Sequence, residues 1–282
     1  MQRPGNAGSF TAADHVKVLD AALAQIPATH RGDLLVTIDT AGASHAVIKH
    51  LTSWNTATQH GRRGRRVEYS IGWPVDERTR SGIAQLPERA WTARLTADGQ
   101  AQPGEQVADL TGVLRLGADG DRLDSWPEDL RVIVSRTPRG ATEQAPLGED
   151  AHWRYGAFAT NTVGGQTQWL DARHRTKTGV EDKIKELKAM GAEKLPTADA
   201  GRNAAWLQLA ALAVTVTAWL RHLALDGDLK LAEPKALRFR LLAVPARLVS
   251  HARSQILKIP DNWAWADDLT AAWDRLQALH PS

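Results

Sequence analysis

The sequence predicts an α/β fold with a β-rich middle and a helical C-terminal part. Three observations support this. Residues 11–54 show helix, strand and helix patterns in turn, residues 76–169 hold short apolar runs separated by Gly, Pro and Asp, and helical periodicity returns near residue 176. Alternating helices and strands are typical of α/β layers, and short strands with regular turn signals are typical of a β-rich segment. We therefore divide the 282 residues into 1–75, 76–170 and 171–282.

The first element is an amphipathic helix that Pro27 stops. Thr11 and Asp14 have the spacing of a capping box, and apolar residues then recur every three or four positions through Ile26. Residues 34–38 (LLVTI) are apolar and β-branched, which predicts a buried strand. Ser44 follows as a helix cap, and the helix it starts is predicted to reach about Trp54 with three residues on its inner face: Val47, Ile48 and Leu51.

The remaining strands are predicted from short apolar runs. A second strand spans 67–75, and the β-rich segment holds runs at 91–95, 107–114, 131–136 and 153–160. Helices follow from about 176 to 225, then a basic strand-like run over 237–244 and an amphipathic helix over 264–279. Asn203–Leu220 is uncharged and nearly long enough to span a membrane, but its Ala, Gln and Thr content favours a buried core helix. We therefore predict no membrane partner.

Composition places the chain among ordinary globular proteins, with 43% hydrophobic and 24% charged residues. Eleven Trp side chains are unusual, and Trp tends to lie in cores and interfaces. No Cys is present, which excludes disulfides and Cys-based zinc sites. The polar, Gly-rich residues 1–10 do not resemble a signal peptide, so we predict a cytoplasmic protein.

The formal net charge is only +3, but two segments of the chain, the basic blocks, are rich in Lys and Arg. The first block lies within GRRGRR at 61–66 and contains Arg62, Arg63, Arg65 and Arg66. The second lies between Glu233 and Asp261, where no acidic residue opposes six cations: Lys235, Arg238, Arg240, Arg247, Arg253 and Lys258. Such blocks indicate a polyanion such as DNA, and solvated surface arginines are the alternative.

Asp39 directly follows the apolar strand over 34–38 and precedes a helix. Ligands and catalytic groups of open α/β sheets gather at the carboxyl ends of strands, and a carboxylate there suits a hard cation such as Mg²⁺. A structural carboxylate that caps the turn is the alternative, and position alone favours it. A nucleotide site has less support, because the following TAGAS contains a single Gly.

A second candidate site lies in HRTKTGVEDKIKELKAMG, residues 174–191. Val180, Ile184 and Leu187 have the spacing of a buried helical stripe. A helix that reached back to His174 would place five residues on another face: His174, Lys177, Glu181, Lys185 and Lys188. Periodicity alone favours a solvated face of i, i+4 ion pairs.

The spacing of these polar residues resembles the signature of the insertion-sequence branch of DDE transposases. In that signature an aromatic residue, a basic residue, a catalytic Glu and a Lys share one helix. Lys177 matches the basic residue, Glu181 the Glu and Lys188 the final Lys, whereas His174 stands where Tyr is usual.

Five further blocks are similar to the group called transposase DDE group 1 and keep its order: residues 3–25, 34–51, 155–162 (YGAFATNT), 203–210 and 233–253. The resemblance implies an RNase H-like core with a β-rich insertion before the Glu181 helix. It also implies that Asp39 is the second acidic metal ligand and Glu181 the third.

The function that this resemblance implies is DNA transposition, by phosphodiester cleavage and strand transfer at insertion-sequence ends. Two Mg²⁺ or Mn²⁺ ions about 3.5–4 Å apart would stabilise the attacking and leaving oxygens. Lys177 and Lys188 would hold phosphates by point charge, and His174 and Lys185 would lie along the DNA. The implied partner is transposon-end DNA, and a homo-oligomer is left open.

The family's first catalytic aspartate lies upstream of a block that begins here at Arg3. We therefore expect an N-terminally truncated chain. Its core sheet should lack about three of five strands and have an unpaired edge. We expect that this chain neither nicks nor joins DNA. Two alternatives stay open: a non-catalytic DNA-binding or inhibitory remnant of a transposase, and an unrelated cytoplasmic α/β protein.

Overall fold

A computed structural model describes residues 10–56, 64–116, 122–140, 143–146, 150–251 and 254–279. The chain forms two compact units, an N-terminal unit over Arg3–Thr178 and a C-terminal unit over Gly179–Ser282.

The N-terminal unit contains a six-stranded sheet and five α-helices among its described residues. In chain order these are α1 (Ala12–Gln25), β1 (Asp33–Ile38), α2 (His45–Ser53), β2 (Arg66–Trp73), α3 (Glu77–Ala84), β3 (Thr92–Leu95), β4 (Ala101–Asp109), α4 (Thr111–Leu116), β5 (Arg131–Pro138), β6 (Trp153–Thr160) and α5 (Thr167–Arg175).

The local signals at the start of the chain are confirmed. Asp14 accepts a hydrogen bond from the backbone N–H of Thr11 at 2.9 Å, and the Thr11 hydroxyl accepts one from the Asp14 N–H at 3.3 Å, which completes the capping box of α1. Ser44 caps α2 by accepting from the N–H of Val47 at 3.3 Å. All three predicted inner-face residues of α2 are buried, so this helix packs on the sheet as its periodicity predicts.

The strands follow the order β1-β2-β6-β5-β4-β3. β1 and β2 are parallel, and every other neighbouring pair is antiparallel. The strands predicted as a β-rich insertion therefore join the sheet of β1 and β2 directly, through the pairing of β6 with β2. β1 lies at one edge of this sheet, and the domain boundaries near residues 75 and 170 stay predictions.

The core of the N-terminal unit lies between the sheet and helices α2, α3 and α4. Its largest fully buried side chains include Tyr69, Ile71, Leu110 and Leu130. One predicted strand in this region extends too far, because β4 ends at Asp109 and α4 begins at Thr111. Asp109 accepts a hydrogen bond from the Thr111 N–H at 2.9 Å, a side-chain turn signal that the apolar pattern over 107–114 does not show.

The C-terminal unit is mainly helical. Its elements are α6 (Thr178–Leu187), a π-helical turn (Lys188–Ala192), α7 (Ala200–Leu223), α8 (Gly227–Leu231), α9 (Pro234–Leu237), a second π-helical turn (Arg238–Leu242), β7 (Arg247–His251), β8 (Ser254–Lys258) and α10 (Ala266–Ala278). A small core joins α8, α9 and α10 through buried side chains that include Leu229, Leu237, Leu241 and Ala272. β7 and β8 form a separate antiparallel pair.

The strand predicted over 237–244 is wrong, because this segment is helical. The letters LRFRL alternate apolar and basic residues, a pattern that fits a strand. The structure buries Leu237 and Leu241, which are four residues apart, and leaves Phe239 between them 59% exposed. The buried residues therefore follow helical i, i+4 spacing and not the alternation of a strand. Short apolar runs often fit both structures.

Two predicted buried faces are also wrong. On α6, Val180 is 57% and Ile184 is 48% exposed. We predicted α7 as a buried core helix, but only 17% of its apolar 18-residue stretch is buried. This helix is long and apolar enough to cross a membrane by length and composition, but one such helix is weak evidence for a span. Periodicity predicts an apolar face without saying what covers it.

Candidate functional site

Asp39 lies at the end of β1, as predicted, and is exposed. Its Oδ1 accepts a hydrogen bond from the backbone N–H of Ala41 at 3.1 Å and so caps the short 3₁₀ turn Thr40–Gly42. The turn-capping alternative is therefore present in the structure. This capping role occupies one carboxylate oxygen, and the described residues supply no hydrogen-bond partner for Oδ2, which leaves it open for a ligand.

The position of Asp39 is set by a close approach of two backbones. The Asp39–Thr40 backbone passes over Gly72 of β2, where a Cβ would lie 2.6 Å from the Thr40 nitrogen and 3.0 Å from the Asp39 carbonyl carbon. Any larger residue at position 72 would push the turn away from the sheet. Glycine here holds Asp39 close to the carboxyl ends of the two parallel strands.

Glu181 lies in the first turn of α6 and is exposed. The ion pairs on this helix follow i, i+3 spacing: Lys185 contacts Asp182 at 3.4 Å and Lys183 contacts Glu186 at 2.8 Å. Within the described part of the chain, neither Glu181 nor Lys188 has an ion-pair partner. Lys188 is exposed in the π-helical turn after α6. Ion pairing along the helix thus accounts for Lys185. It does not account for Glu181 and Lys188, the residues that match the Glu and the final Lys of the transposase signature.

Asp39 belongs to the N-terminal unit, and Glu181 and Lys188 belong to the C-terminal unit. The predicted approach of the two carboxylates stays a prediction. Carboxylate oxygens are suitable donors for Mg²⁺ or Mn²⁺. Over the residues that the structure describes, no group of three or more His, Asp or Glu side chains could hold a metal ion.

His174 lies in α5 and not in the helix of Glu181, because α5 ends at Arg175 and α6 begins at Thr178. The expected single helix is therefore interrupted, and the five polar residues do not share one helical face. The His174 ring is buried, stacks on Phe158 with ring centres 4.4 Å apart, and has its Nδ1 2.7 Å from the Ser70 hydroxyl. Lys177 lies half-buried in the turn between the helices.

Burial, and secondarily the charge of Lys177, lowers the pKa of His174 from its usual value to about 4, although Asp171 acts in the opposite direction. In the unfolded chain the imidazole has a pKa of about 6.5 and takes up a proton that the native state excludes. Native stability from this residue is therefore fully present above about pH 6.5 and decreases as the pH falls towards the native pKa.

We expect unfolding free energy to decrease by up to about 1.4 kcal/mol per pH unit between about pH 6.5 and pH 4 because of His174. Urea unfolding measured at pH 7, 6 and 5 tests this. His174→Gln should remove most of that pH dependence, and replacement of the exposed His30 by Gln should keep it. An unchanged slope in His174→Gln would contradict the burial effect.

Arg173 is a site residue that sequence patterns do not reveal. Its guanidinium contacts Glu68 at 2.6 Å, donates to the Thr162 hydroxyl and stacks over Trp169 at 4.7 Å. Burial alone would raise the pKa of Glu68, but the hydrogen bond and charge of Arg173 outweigh it and lower the pKa. Glu68, Thr162 and Trp169 line an open pocket of about 540 Å³ together with Arg66.

The block YGAFATNT is one sequence signal for this region. Asn161 at its end accepts from the Tyr69 N–H at 2.8 Å and donates to the Val67 carbonyl at 3.0 Å, so its side chain extends the pairing of β6 with β2. Thr162 then orients Arg173. This block therefore has a structural role beside the pocket.

The first basic block is only partly described. Arg62 and Arg63 lie outside the described residues, Arg65 is half-buried, and Arg66 contacts Glu68 at 2.6 Å. One member of the second block, Arg253, also lies outside them.

In the second block Lys235, Arg238, Arg247 and Lys258 are exposed, and the guanidinium of Arg240 lies 5.3 Å from the centre of the Trp265 ring. None of these five cations has a carboxylate within 4.0 Å in the described segments. This second block therefore carries unneutralised positive charge.

Comparison with known proteins gives one family. The family model described as transposase DDE domain group 1 matches residues 1–281, which is nearly the whole chain. A comparison with curated proteins found no match. The match agrees with the resemblance of the Glu181 helix and the ordered blocks. The chain belongs to the transposase DDE domain group 1 family.

Proposed function

We propose that this protein acts in DNA transposition, by metal-dependent cleavage and strand transfer at the ends of an insertion sequence. The observation that carries the proposal is the family match over residues 1–281. We further propose that the mixed sheet is the counterpart of an RNase H-like core. The exposed strand-end carboxylate of Asp39 is consistent with that assignment, because ligands of α/β sheets gather at this edge.

Asp39 and Glu181 are the carboxylates that would hold the divalent ions. When bound, Mg²⁺ or Mn²⁺ would stabilise the attacking and leaving oxygens at phosphorus. Two observations support the assignment: Asp39 keeps one carboxylate oxygen without a partner in the described structure, and Glu181 is an exposed carboxylate outside the ion pairs of α6. Lys188 and Lys177 would attract phosphates and so position the DNA.

DNA is the proposed partner, and charge in the C-terminal unit supports it. Arg247 and Lys258 are directly opposite each other in the β7–β8 pair, and both are exposed. Like charges at this spacing destabilise a strand pair. A phosphate backbone would relieve the repulsion and would release counterions as it binds.

The metal assignment predicts weaker Mn²⁺ binding in either of two variants, Asp39→Asn and Glu181→Gln. Each variant should lose about tenfold or more in affinity, because removal of a ligand costs at least as much as removal of a group that supports one. Electron paramagnetic resonance of free Mn²⁺ measures the binding.

Asp182→Asn is the matched control, since Asp182 is an exposed carboxylate next to Glu181 and lies 3.4 Å from Lys185. It should leave Mn²⁺ binding unchanged. Unchanged binding in Asp39→Asn or in Glu181→Gln would contradict the metal assignment.

A non-catalytic DNA-binding or inhibitory protein is the second candidate function, and the unpaired cations of the C-terminal unit favour it equally. The expectation that the chain neither nicks nor joins DNA stays a prediction. Incubation with Mg²⁺ and DNA that carries the element's ends separates the candidates. Cleavage that Glu181→Gln abolishes would establish the enzyme, whereas salt-sensitive binding without cleavage would support the second candidate.

A further inference from the structure

Three aromatic rings meet at the surface of the C-terminal unit, which we call the aromatic cluster: Phe239, Trp263 and Trp265. The centre of the Phe239 ring lies 5.9 Å from that of Trp263 and 5.7 Å from that of Trp265, and the two Trp rings are 5.8 Å apart. Trp265 meets Phe239 and Trp263 edge to face, with interplanar angles of 74° and 65°, and the Phe239 and Trp263 rings are tilted by 56°.

The two Trp rings are anchored. The indole N–H of Trp263 donates to the Arg240 carbonyl at 2.8 Å, which ties the segment before α10 to the π-helical turn over 238–242. Trp265 packs against the small core that contains Leu237 and Leu241. Both rings are half-buried, and together they give the third ring a rigid support.

Phe239 is different because 59% of it remains exposed. Leu237 at the end of α9 and Leu241 in the π-helical turn are buried on one side, and Phe239 between them faces away from the core. π-Helical turns occur frequently at functional sites. An exposed Phe supported by two fixed rings presents an apolar surface to solvent. Exposure of this surface to water is unfavourable, and a planar group that stacked on the ring would cover it.

Two arginines lie next to the aromatic cluster, Arg240 by ring contact and Arg238 by its position beside Phe239 in the sequence. The Arg240 guanidinium lies 5.3 Å from the centre of the Trp265 ring, and the neighbouring Arg238 is exposed. Neither has an ion-pair partner in the portion of the chain that is described. Aromatic rings next to unpaired arginines match the two requirements of single-stranded DNA, which offers base faces for stacking and phosphates for charge contacts. In a duplex those base faces are covered by neighbouring bases.

We propose that the aromatic cluster binds an unpaired DNA base, with Phe239 as the stacking surface and Arg238 and Arg240 on the adjacent phosphates. This inference rests on the proposed DNA function. It adds a preference for single-stranded DNA, or for DNA with unpaired bases, to the general attraction of cations for the phosphate backbone.

The test compares binding of oligo-dT and of a duplex of equal strand length, by fluorescence anisotropy of the full chain at one salt concentration. Phe239→Leu keeps an apolar side chain but removes the ring. It should weaken oligo-dT binding by about 5- to 100-fold, the range for one stacked base, and change duplex binding less than about twofold. Trp219→Leu is the matched control, because Trp219 is also exposed in this unit, at 61%, and should affect neither ligand.

Arg240→Lys is a second variant that keeps the charge and loses the planar guanidinium. It should weaken oligo-dT binding and leave duplex binding unchanged, and it tests the proposal if Phe239→Leu does not fold. Unchanged oligo-dT binding in the folded Phe239→Leu protein, or equal losses for oligo-dT and duplex, would overturn the base-stacking assignment.

Two outcomes separate this inference from the function on which it rests. If the parent chain binds duplex with a normal salt dependence but Phe239→Leu changes nothing, only the stacking surface is refuted. If the parent chain binds neither DNA, the DNA function itself is refuted. Tighter binding of oligo-rU than of oligo-dT, with the same dependence on Phe239, would make RNA the partner and overturn the assignment to DNA.

Discussion

Replacement of four exposed cations by alanine is expected to reduce non-specific DNA affinity on the order of 10²–10³-fold at moderate salt. The four, all in the C-terminal unit, are Lys235, Arg238, Arg247 and Lys258. Each cation that neutralises a phosphate releases counterions, so each one lost should reduce the slope of log affinity against log salt by about 0.9. Titrations of labelled duplex at several salt concentrations measure both quantities.

Paired lysines provide the control for this effect. Lys183 is 61% exposed, but its ammonium lies 2.8 Å from Glu186, so its charge is already neutralised within the protein. Lys183→Ala should leave the salt slope nearly unchanged, while Lys258→Ala should lower it. Equal effects of the two single variants would show that net charge alone matters, and a parent slope near zero would refute DNA binding.

Asp171→Ala is expected to destabilise the N-terminal unit by about 3–5 kcal/mol, because it leaves the largely buried guanidinium of Arg94, which is 12% exposed, without the carboxylate that neutralises it. Asp171 is 2% exposed and accepts two hydrogen bonds from Arg94, at 3.0 and 3.2 Å, and one from Arg175 at 2.9 Å. Arg94 also contacts Glu105, which alone cannot balance both cations. The network ties α5 to β3 and so holds the helix that carries Arg173 and His174.

Thermal and urea unfolding measure this loss, which corresponds to a lower Tm of roughly 10 °C or more. Asp20→Ala is the matched control in the same unit. Asp20 is 51% exposed and contacts His50 at 2.8 Å, so its loss should cost less than about 1 kcal/mol. If Asp171→Ala is no more destabilising than Asp20→Ala, the buried network does not hold α5 in place.

The elements that sequence patterns predict well are those with local causes. The capping box of Thr11 and Asp14 and the cap at Ser44 act over three residues, and they define the starts of α1 and α2. Most strand positions in the N-terminal unit are predictable for the same reason, since short apolar runs between turn residues are local. The pairing of β6 with β2 was not, because it joins Ser70 with Thr160 across ninety residues of sequence.

Errors arose where a local pattern fits two structures or needs a distant partner. Alternation over 237–241 suggested a strand, but packing of Leu237 and Leu241 against α10 favours a helix. Apolar stripes on α6 and α7 suggested burial, but a stripe does not specify what covers it. The exposed Val180 and Trp219 illustrate this difference.

The candidate site divides in the same way. Asp39 was predicted from its place at the end of a strand, and family membership was recognisable from ordered motifs that include Glu181 and Lys188. Each of these signals lies within one short segment of the sequence and can be recognised without knowledge of distant contacts. Their assembly into one metal site stays a prediction.

Folding in three dimensions accounts for the rest. It buries His174 on Phe158, pairs Arg173 with Glu68 and brings Trp263 and Trp265 to Phe239. These contacts join residues that are far apart in sequence, and their formation depends on how separate elements pack. Burial, pKa and exposure follow from that packing, which no spacing within a single segment specifies.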